Sequence, residues 1–255
     1  MWKGFNFFAM VIIFCLCCFW PQPARAATLD GAAVIKRVED NLNGKTAEIS
    51  FTMVVKTRRG ARTIKMTSYS IGKKKSFIKI RYPGKDKGIT FLKIDNAMWQ
   101  YVPRIERVLK IPASMMLQSW MGSDFTNDDL VRESSILEDY NHRIISQGKD
   151  DFEVELLPHE NAPVVWGRIV MGVSKTYFLP TTVKYYDDAG KLVRTISYQQ
   201  VKKFGARFYP TYWVLTPKDK EKAGHRTTVE ITAAVFDKPV SEEYFTKMAL
   251  RRFSD

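Results

Sequence analysis

Cysteine is absent from most of the chain. The three cysteines, Cys15, Cys17 and Cys18, all lie in an apolar N-terminal segment. The remaining sequence therefore offers no thiol for a disulfide, a thiolate metal site or a nucleophile. Histidine is almost as scarce, because only three occur and none has a His, Asp or Glu at the spacing of a metal site. We therefore expect neither disulfides nor a bound metal.

Sequence motifs for common enzyme chemistry are also missing. The chain has no G-x-S-x-G elbow, no G-x-x-x-x-G-K-[ST] phosphate loop and no G-x-G-x-x-G turn. Two carboxylate pairs, Glu153 with Glu155 and Asp187 with Asp188, have the composition of a glycosidase site, but alternating Glu on a strand is typical of its solvent face. The sequence accordingly predicts a protein that is not an enzyme and has no cofactor.

Long hydrophobic runs are confined to the N-terminus. Lys3 is followed by an apolar run from Val11 to Trp20 and by the small-x-small triplet Ala24-Arg25-Ala26. This order predicts a secretory signal peptide over residues 1–26, cleaved after Ala26, and hence export to the periplasm. A retained membrane anchor is the alternative, which the shortness of the run disfavours. No linker or composition break follows, so residues 27–255 are predicted to form one domain.

Charge is strongly unbalanced toward basic residues, with 40 Lys and Arg against 27 Asp and Glu. Lys3 and Arg25 lie in the predicted signal peptide, so its removal lowers the formal net charge from +13 to +11. An exported protein of this charge is expected to work near anionic partners, such as phospholipid head groups, lipopolysaccharide or acidic polysaccharide. Nucleic acid is not expected as a partner, because an exported protein rarely meets it.

Hydrophobic periodicity predicts one helix followed by an antiparallel meander. Leu29 to Asn43 has its apolar residues on one helical face, with Asp30 placed to cap its start and Gly44 to end it. Apolar and polar residues then alternate in short segments separated by tight turns, the pattern of half-buried antiparallel strands. The predicted strands are Thr46 to Lys56, Arg62 to Ile71, Ser76 to Tyr82, Gly88 to Ile94, Ala97 to Pro103 and Arg104 to Ile111.

Residues 112–130 interrupt this pattern with a Met- and Trp-rich insertion. Ser114 to Met121 has the apolar grouping of one or two helical turns, and Asn127 to Leu130 has the acids of a helix start. Asp124, Asp128 and Asp129 lack the spacing of a calcium loop, so capping of a surface helix is the better interpretation.

A second meander follows the insertion. Its segments carry β-branched and aromatic residues between turn signals. Ser241 caps a predicted closing helix that carries Tyr244, Phe245, Met248 and Leu250. The predicted strands are Tyr140 to Lys149, Asp151 to Pro158, Pro163 to Val173, Thr181 to Tyr186, Leu192 to Lys202, Arg207 to Thr216 and Arg226 to Phe236.

Flexible and aromatic apolar residues are abundant, with ten Met, six Trp, eleven Tyr and sixteen Phe. Each of them could fill an ordinary core. The strands and helices each have a single apolar face. Together with the insertion, this pattern favours a sheet that curls around an apolar cavity and binds acyl chains. The predicted cavity and cover residues are Ile49, Phe51, Met53, Val55, Ile64, Met66, Ile78, Ile80, Met115, Met116, Leu117, Trp120 and Met121.

Four runs of sequence resemble the LolA-like outer membrane lipoprotein-sorting proteins. The likeness extends more loosely to the closing helix and covers most of the chain after residue 26, but its specific part is residues 88–130. The runs are Gly88-Ile89-Thr90-Phe91-Leu92, Asn96-Ala97-Met98-Trp99-Gln100-Tyr101-Val102-Pro103-Arg104, Arg107-Val108-Leu109-Lys110-Ile111-Pro112 and Gly122-Ser123-Asp124-Phe125-Thr126-Asn127-Asp128-Asp129-Leu130.

The resemblance implies a fold and a function. The family fold is mainly β with flanking helices, an open and incomplete antiparallel β-barrel of about eleven strands with helices covering the concave face. The family function is that of a periplasmic carrier, which holds acyl chains of lipids or lipoproteins and moves them from inner-membrane machinery, such as a transporter, to the outer membrane. The resemblance to LolA also implies a single arginine that holds a lid. Arg58, Arg59 and Arg62 all lie near the corresponding part of the sheet, and the sequence does not favour one of them.

Other functions remain open at this point. We expect a monomer whose basic residues, Arg104, Arg107 and Lys110 together with the cluster 73–75, contact head groups of an anionic membrane surface or a partner. An envelope sensor that binds lipid or lipoprotein and regulates a membrane partner is one alternative. A polysaccharide-binding or polysaccharide-modifying β protein is another, and it predicts a polar groove lined by aromatic residues and carboxylates.

Overall fold

A computed structural model describes residues 29–132 and 136–254, so the predicted signal peptide lies outside the described residues. The helices are α1 (Gly31–Asn43), α2 (Asn127–Arg132), α3 (Ile136–Asp139) and α4 (Ala249–Arg252). The strands are β1 (Thr46–Thr57), β2 (Gly60–Ile71), β3 (Lys75–Tyr82), β4 (Thr90–Ile94), β5 (Ala97–Val102), β6 (Arg107–Lys110), β7 (Tyr140–Gln147), β8 (Asp151–Pro158), β9 (Arg168–Ser174), β10 (Pro180–Tyr186), β11 (Leu192–Phe204), β12 (Arg207–Pro217) and β13 (Arg226–Phe236).

All the strands belong to one antiparallel sheet of thirteen strands. Their order is β6-β5-β4-β3-β2-β1-β13-β12-β11-β10-β9-β8-β7, so each meander keeps its sequence order and the two meet where β1 pairs with β13. The predicted open antiparallel barrel is confirmed. Its thirteen strands match the segments given by the periodicity, whereas the family resemblance implied about eleven.

The register of the sheet separates its residues into two faces. Directly opposed residues share a face, and Phe51 of β1 lies opposite Met66 of β2 and Ile231 of β13. The alternating apolar residues of β1 therefore continue into both neighbouring strands. This inner face carries a buried cluster that extends from Met98 on β5 to Tyr209 on β12.

Helix α1 covers the inner face of the second meander. Its Val34, Ile35 and Val38 are buried against apolar residues of β7 to β10. The predicted caps are present, since the Asp30 carboxylate accepts a 2.7 Å hydrogen bond from the Ala33 amide and Gly44, at φ 64°, ends the helix. Among the described residues, none of the helices combines the length and apolarity needed to cross a bilayer.

The C-terminal segment packs on the opposite, outer face of the sheet. Phe77 and Leu92 are fully buried there beneath Phe245 and Leu250. The Thr90 hydroxyl donates a 2.7 Å hydrogen bond to the carbonyl of Leu250. The predicted closing helix is instead two single turns, a 3-10 turn at Glu242–Phe245 and α4. Helical structure thus covers both faces, whereas the resemblance implied covering of the concave face.

The outer cluster is expected to be essential for folding. Replacing Phe77 by Ala leaves a cavity under the C-terminal segment and should lower the free energy of unfolding by about 3–5 kcal/mol, measured by urea denaturation. Val235→Ala is the matched control, because Val235 lies on the same outer face and is 49% exposed, and it should cost less than about 0.5 kcal/mol. Equal losses for the two variants would contradict this account of the outer face.

Candidate functional site

A cavity of about 260 Å³ lies between the inner face of the sheet, the C-terminal end of α1 and the segment that follows β6. Five of the predicted residues line it: Ile49, Phe51, Met53, Ile78 and Trp120. Aromatic residues of the second meander, including Trp166, Tyr198 and Trp213, line the other wall. Both meanders therefore contribute to one cavity, which follows from the continuous inner face.

Four further predicted residues are buried near the cavity without lining it. Val55, Ile64, Met66 and Ile80 are at most 4% exposed and belong to the same inner cluster as Trp120. Ile64 and Met66 lie on the inner face because they are paired with the cavity-lining residues Met53 and Phe51 of β1. They act as packing that supports the cavity wall.

The segment from Pro112 to Thr126 covers one end of the cavity. We call it the cover segment. Trp120 is 3% exposed, and its ring lies 5.3 Å from that of Phe91 on the inner face. Met116 and Met121 are half-buried against the inner cluster. The Trp120 side chain thus fixes the cover segment to the sheet.

Met115 and Leu117 lie differently from our expectation. They are 37% and 59% exposed and do not line the cavity. The expected helical turns of Ser114 to Met121 are separate 3-10 turns at Ala113–Met115 and Trp120–Gly122. The second turn lies within a hairpin-like loop, which a bridge between Ser119 and Thr126 closes and in which the Trp120 amide donates to the Phe125 carbonyl at 2.8 Å. Because no continuous helical face forms, Met115 and Leu117 are left on the solvent side.

Arg62 connects the cover segment to the sheet. It lies on the inner face, opposite Val55, and its guanidinium donates to the carbonyl oxygen of Met121. A Cβ at Gly122, where φ is 66°, would lie only 3.0 Å from the Arg62 guanidinium, so glycine permits this close approach. Of the three candidate arginines, Arg58 instead donates to carbonyls of the 220–223 turn and Arg59 is exposed.

Asp124 provides a second attachment of the cover segment. Its carboxylate accepts a 2.8 Å hydrogen bond from the Thr227 hydroxyl, which in turn accepts one from the Asp124 amide at 3.1 Å. Thr227 lies on the inner face of β13, opposite Val55. The side chain of Asp124 is 6% exposed, so the predicted role in capping a surface helix does not describe it.

A buried ion pair between Arg194 and Asp129 was missed by the sequence analysis. Arg194 of β11 donates to both oxygens of Asp129 on α2, one at 2.7 Å, and its guanidinium packs over the adjacent rings of Trp166 and Tyr185, 4.5 Å and 4.3 Å from their centroids. Burial acts to lower the pKa of Arg194, but the hydrogen bonds and charge of Asp129 outweigh it and hold the pKa above its usual value. Removal of one partner from such a pair leaves an uncompensated buried charge.

The end of the cavity away from Arg62 is polar. Ser70, Ser76 and Lys93 occupy opposed inner positions on β2, β3 and β4, and Lys73 of the intervening hairpin also lines the cavity. Lys73 forms an ion pair with the buried Glu39 of α1. Burial raises the pKa of Glu39, an effect that Lys73 opposes. The cavity is therefore apolar along its middle and basic at one end.

The predicted head-group residues lie outside the cavity. Arg104, Arg107 and Lys110 are exposed on or next to β6, which forms one edge of the sheet. The carboxylates considered for chemistry are also apart from the cavity, since Glu155 is buried on the outer face against Arg143 and Arg168. Within residues 29–132 and 136–254, no three His, Cys, Asp or Glu side chains are grouped as metal ligands.

Three solved structures share this architecture over nearly their whole length. A DUF1329 family protein from Desulfovibrio piger is 22% identical, with a TM-score of 0.79 over 86% of this chain and 97% of that one. A putative outer membrane lipoprotein-sorting protein domain from Vibrio parahaemolyticus is 22% identical, with a TM-score of 0.75 over 87% and 98%. A LolA superfamily protein from Nitrosomonas europaea is 15% identical, with a TM-score of 0.71 over 86% and 99%.

A family model also matches the sequence directly. It covers residues 72–252, and its description is that of an uncharacterized protein. No curated protein matches the chain. The matched range contains strands β3 to β13 and the whole cover segment, and it begins directly after β2. The chain therefore belongs to the family of this model and has the fold of the LolA-like proteins.

Proposed function

We propose that the protein is a periplasmic carrier that binds acyl chains of lipids or lipoproteins without covalent chemistry. The observation that carries this proposal is the cavity between the curled sheet and the cover segment, whose wall is formed by residues such as Ile49, Phe51 and Trp213. Apolar walls of this kind suit acyl chains better than sugars, which need hydrogen-bonding groups along their length. The carrier is therefore favoured over a polysaccharide-binding protein.

The energetics suit reversible binding. Each buried methylene contributes about 0.8 kcal/mol, so a chain with about five methylenes inside the cavity gains about 4 kcal/mol. Deeper insertion requires the cover segment to move, because Trp120 occupies the inner face at that end. Affinity would thus be adjusted by the position of the cover segment, which allows a bound chain to leave again.

Arg62 is the residue that would hold the cover segment closed. Its hydrogen bond to the Met121 carbonyl combines a charged donor with a backbone acceptor inside the barrel. Only a few such contacts attach the hairpin-like loop to the sheet, and they can break without disturbing the strand pairing. We therefore assign Arg62 as the latch of a movable lid.

The exposed edge of the sheet would face the membrane or a membrane partner. Ile105, Leu109 and Leu117 are 54%, 42% and 59% exposed, and the exposed Arg104, Arg107 and Lys110 lie among them in sequence. Apolar and basic side chains together suit an anionic bilayer surface. In this proposal the carrier receives its cargo from an inner-membrane transporter, contacts the membrane transiently and acts as a monomer.

The carrier function predicts bound lipid and a defined binding wall. Protein isolated from its own periplasm should release lipid on solvent extraction, detected by mass spectrometry. Ile49→Trp fills the cavity and should weaken uptake of a fluorescent fatty-acyl probe about tenfold or more. Val54→Trp is the matched control, because Val54 lies on the other face of the same strand, and it should bind as the wild type does. Absence of co-purified lipid and of probe uptake would refute the carrier.

The latch predicts a local change at the cover segment. Arg62→Met keeps an apolar stem but removes the donor, and a hydrogen bond from a charged group contributes about 1.5–3 kcal/mol. Amide hydrogen exchange in residues 118–125 should therefore accelerate about tenfold or more, and the acyl probe should dissociate faster. Arg59→Met removes the same charge from an exposed turn and should change neither. Unaltered exchange in Arg62→Met would exclude a latch role.

A further inference from the structure

The inner face of the first meander changes from apolar to polar along the strands. One row of opposed residues, Ala47, Ser70, Ser76 and Lys93, crosses β1 to β4 beside the hairpin between β2 and β3. The rows that follow are mainly apolar, until Arg62 lies opposite Val55 beneath the cover segment. From Ala47 to Met53, the last residue of β1 that lines the cavity, the strand advances about 20 Å at 3.3–3.4 Å per residue. The two ends of the cavity therefore differ in chemistry and are well separated.

Lys93 places a positive charge at the polar end. The residue is 7% exposed and lines the cavity, although a lysine is almost never buried to this extent without a specific reason. Its ammonium donates a 2.9 Å hydrogen bond to the carbonyl of Lys73, which holds it beside the hairpin. Packing alone does not require this residue, because an apolar side chain would satisfy the same inner position.

The neighbouring lysines are both paired with acids. Lys73 lines the cavity and forms an ion pair with Glu39. Lys75 is also among the lining residues, but it lies at an outer-face position and its ammonium forms a 2.8 Å ion pair with Glu242 of the C-terminal segment. The acids that line the cavity, Asp128 and Asp129, belong instead to α2 beside the cover segment. Charge is thus segregated, with cations and serine hydroxyls at the hairpin end.

We propose that the cargo is a lipid with an anionic head group, which binds at the hairpin end beside Lys93 while its acyl chains extend toward Trp120. This inference rests on the proposed carrier function and adds the head-group class and the orientation of the cargo. Lysine ammonium and serine hydroxyl groups donate hydrogen bonds to phosphate or carboxylate oxygens. The apolar lining residues Ile49, Phe51 and Met53 then accommodate the chains.

The orientation has a consequence for release. The head group would lie beside Lys73, whose side chain is 28% exposed, so this end of the cavity reaches solvent. The chain ends would lie beneath the cover segment, which Arg62 attaches. Opening of the cover segment would therefore expose chain ends first, whereas the head group would remain held by the lysines.

Head-group selectivity separates this inference from the carrier function itself. Short-chain phosphatidylglycerol and phosphatidylcholine with identical acyl chains are titrated into the protein by calorimetry, and inorganic phosphate is titrated separately. Phosphatidylglycerol should bind about tenfold or more tightly than phosphatidylcholine, because the choline cation of phosphatidylcholine neutralises its phosphate and is repelled by the lysine ammonium group. Phosphate alone should bind weakly or not at all, since it lacks the chains.

Single substitutions test whether Lys93 causes the head-group selectivity. Lys93→Gln keeps a donor for the Lys73 carbonyl and should abolish the preference for phosphatidylglycerol over phosphatidylcholine. Lys65→Gln, which removes the same charge from an exposed position on the outer face of β2, should keep the preference. Ser70→Asp adds a negative charge to the polar row and should also abolish the preference, so the inference does not depend on one variant folding.

The outcomes are distinguishable. Equal binding of the two lipids by the wild type, or a preference that survives both Lys93→Gln and Ser70→Asp, would overturn the head-group inference and leave the carrier function standing. Binding of phosphate as tight as that of phosphatidylglycerol would identify a phosphate site and overturn the lipid orientation. Failure of both lipids to bind would refute the carrier function, on which the inference rests.

Discussion

The pairing of β1 with β13 is the constraint on which the rest of the structure depends. It joins residues 46–57 to residues 226–236 and makes two separate meanders into one sheet of thirteen strands. Because opposed residues share a face, this pairing also joins the two inner faces, from Phe51 through Ile231 and onward to Tyr198 and Trp213. One cavity with walls from both halves of the chain is the direct result.

A single sheet of this size exposes two apolar faces, and the protein covers them by different means. On the inner face, α1 covers the second meander and the cover segment closes one end of the first. On the outer face, the C-terminal segment buries Phe77 and Leu92. The outer cover is continuous apolar packing, whereas the inner cover leaves a cavity and is attached by Arg62, Asp124 and Trp120. This difference places the cavity, and with it the proposed binding site, on the inner side.

Much of the fold could be predicted from local sequence, and much of the site could not. The alternation of Ile49, Phe51 and Met53 identified a strand and its inward face, and both agree with the structure. Met115 and Leu117 were expected to cover the cavity, yet they are exposed because the segment forms separate turns. Asp129 has the predicted capping role, because its carboxylate accepts from the Thr126 amide at 2.7 Å at the start of α2. The contacts of Asp124 with Thr227 and of Asp129 with Arg194 join residues more than sixty positions apart in sequence, so no local pattern could predict them.

Local sequence was enough to predict the strands and their antiparallel order within each meander, because side-chain alternation and turn residues act over a few neighbouring positions. The folded chain was needed to show which arginine contacts the cover segment, which face the C-terminal segment covers, and that Ser70, Ser76 and Lys93 form one polar row. These features arise from the register between distant strands. A one-residue change of register would move each of these side chains to the other face.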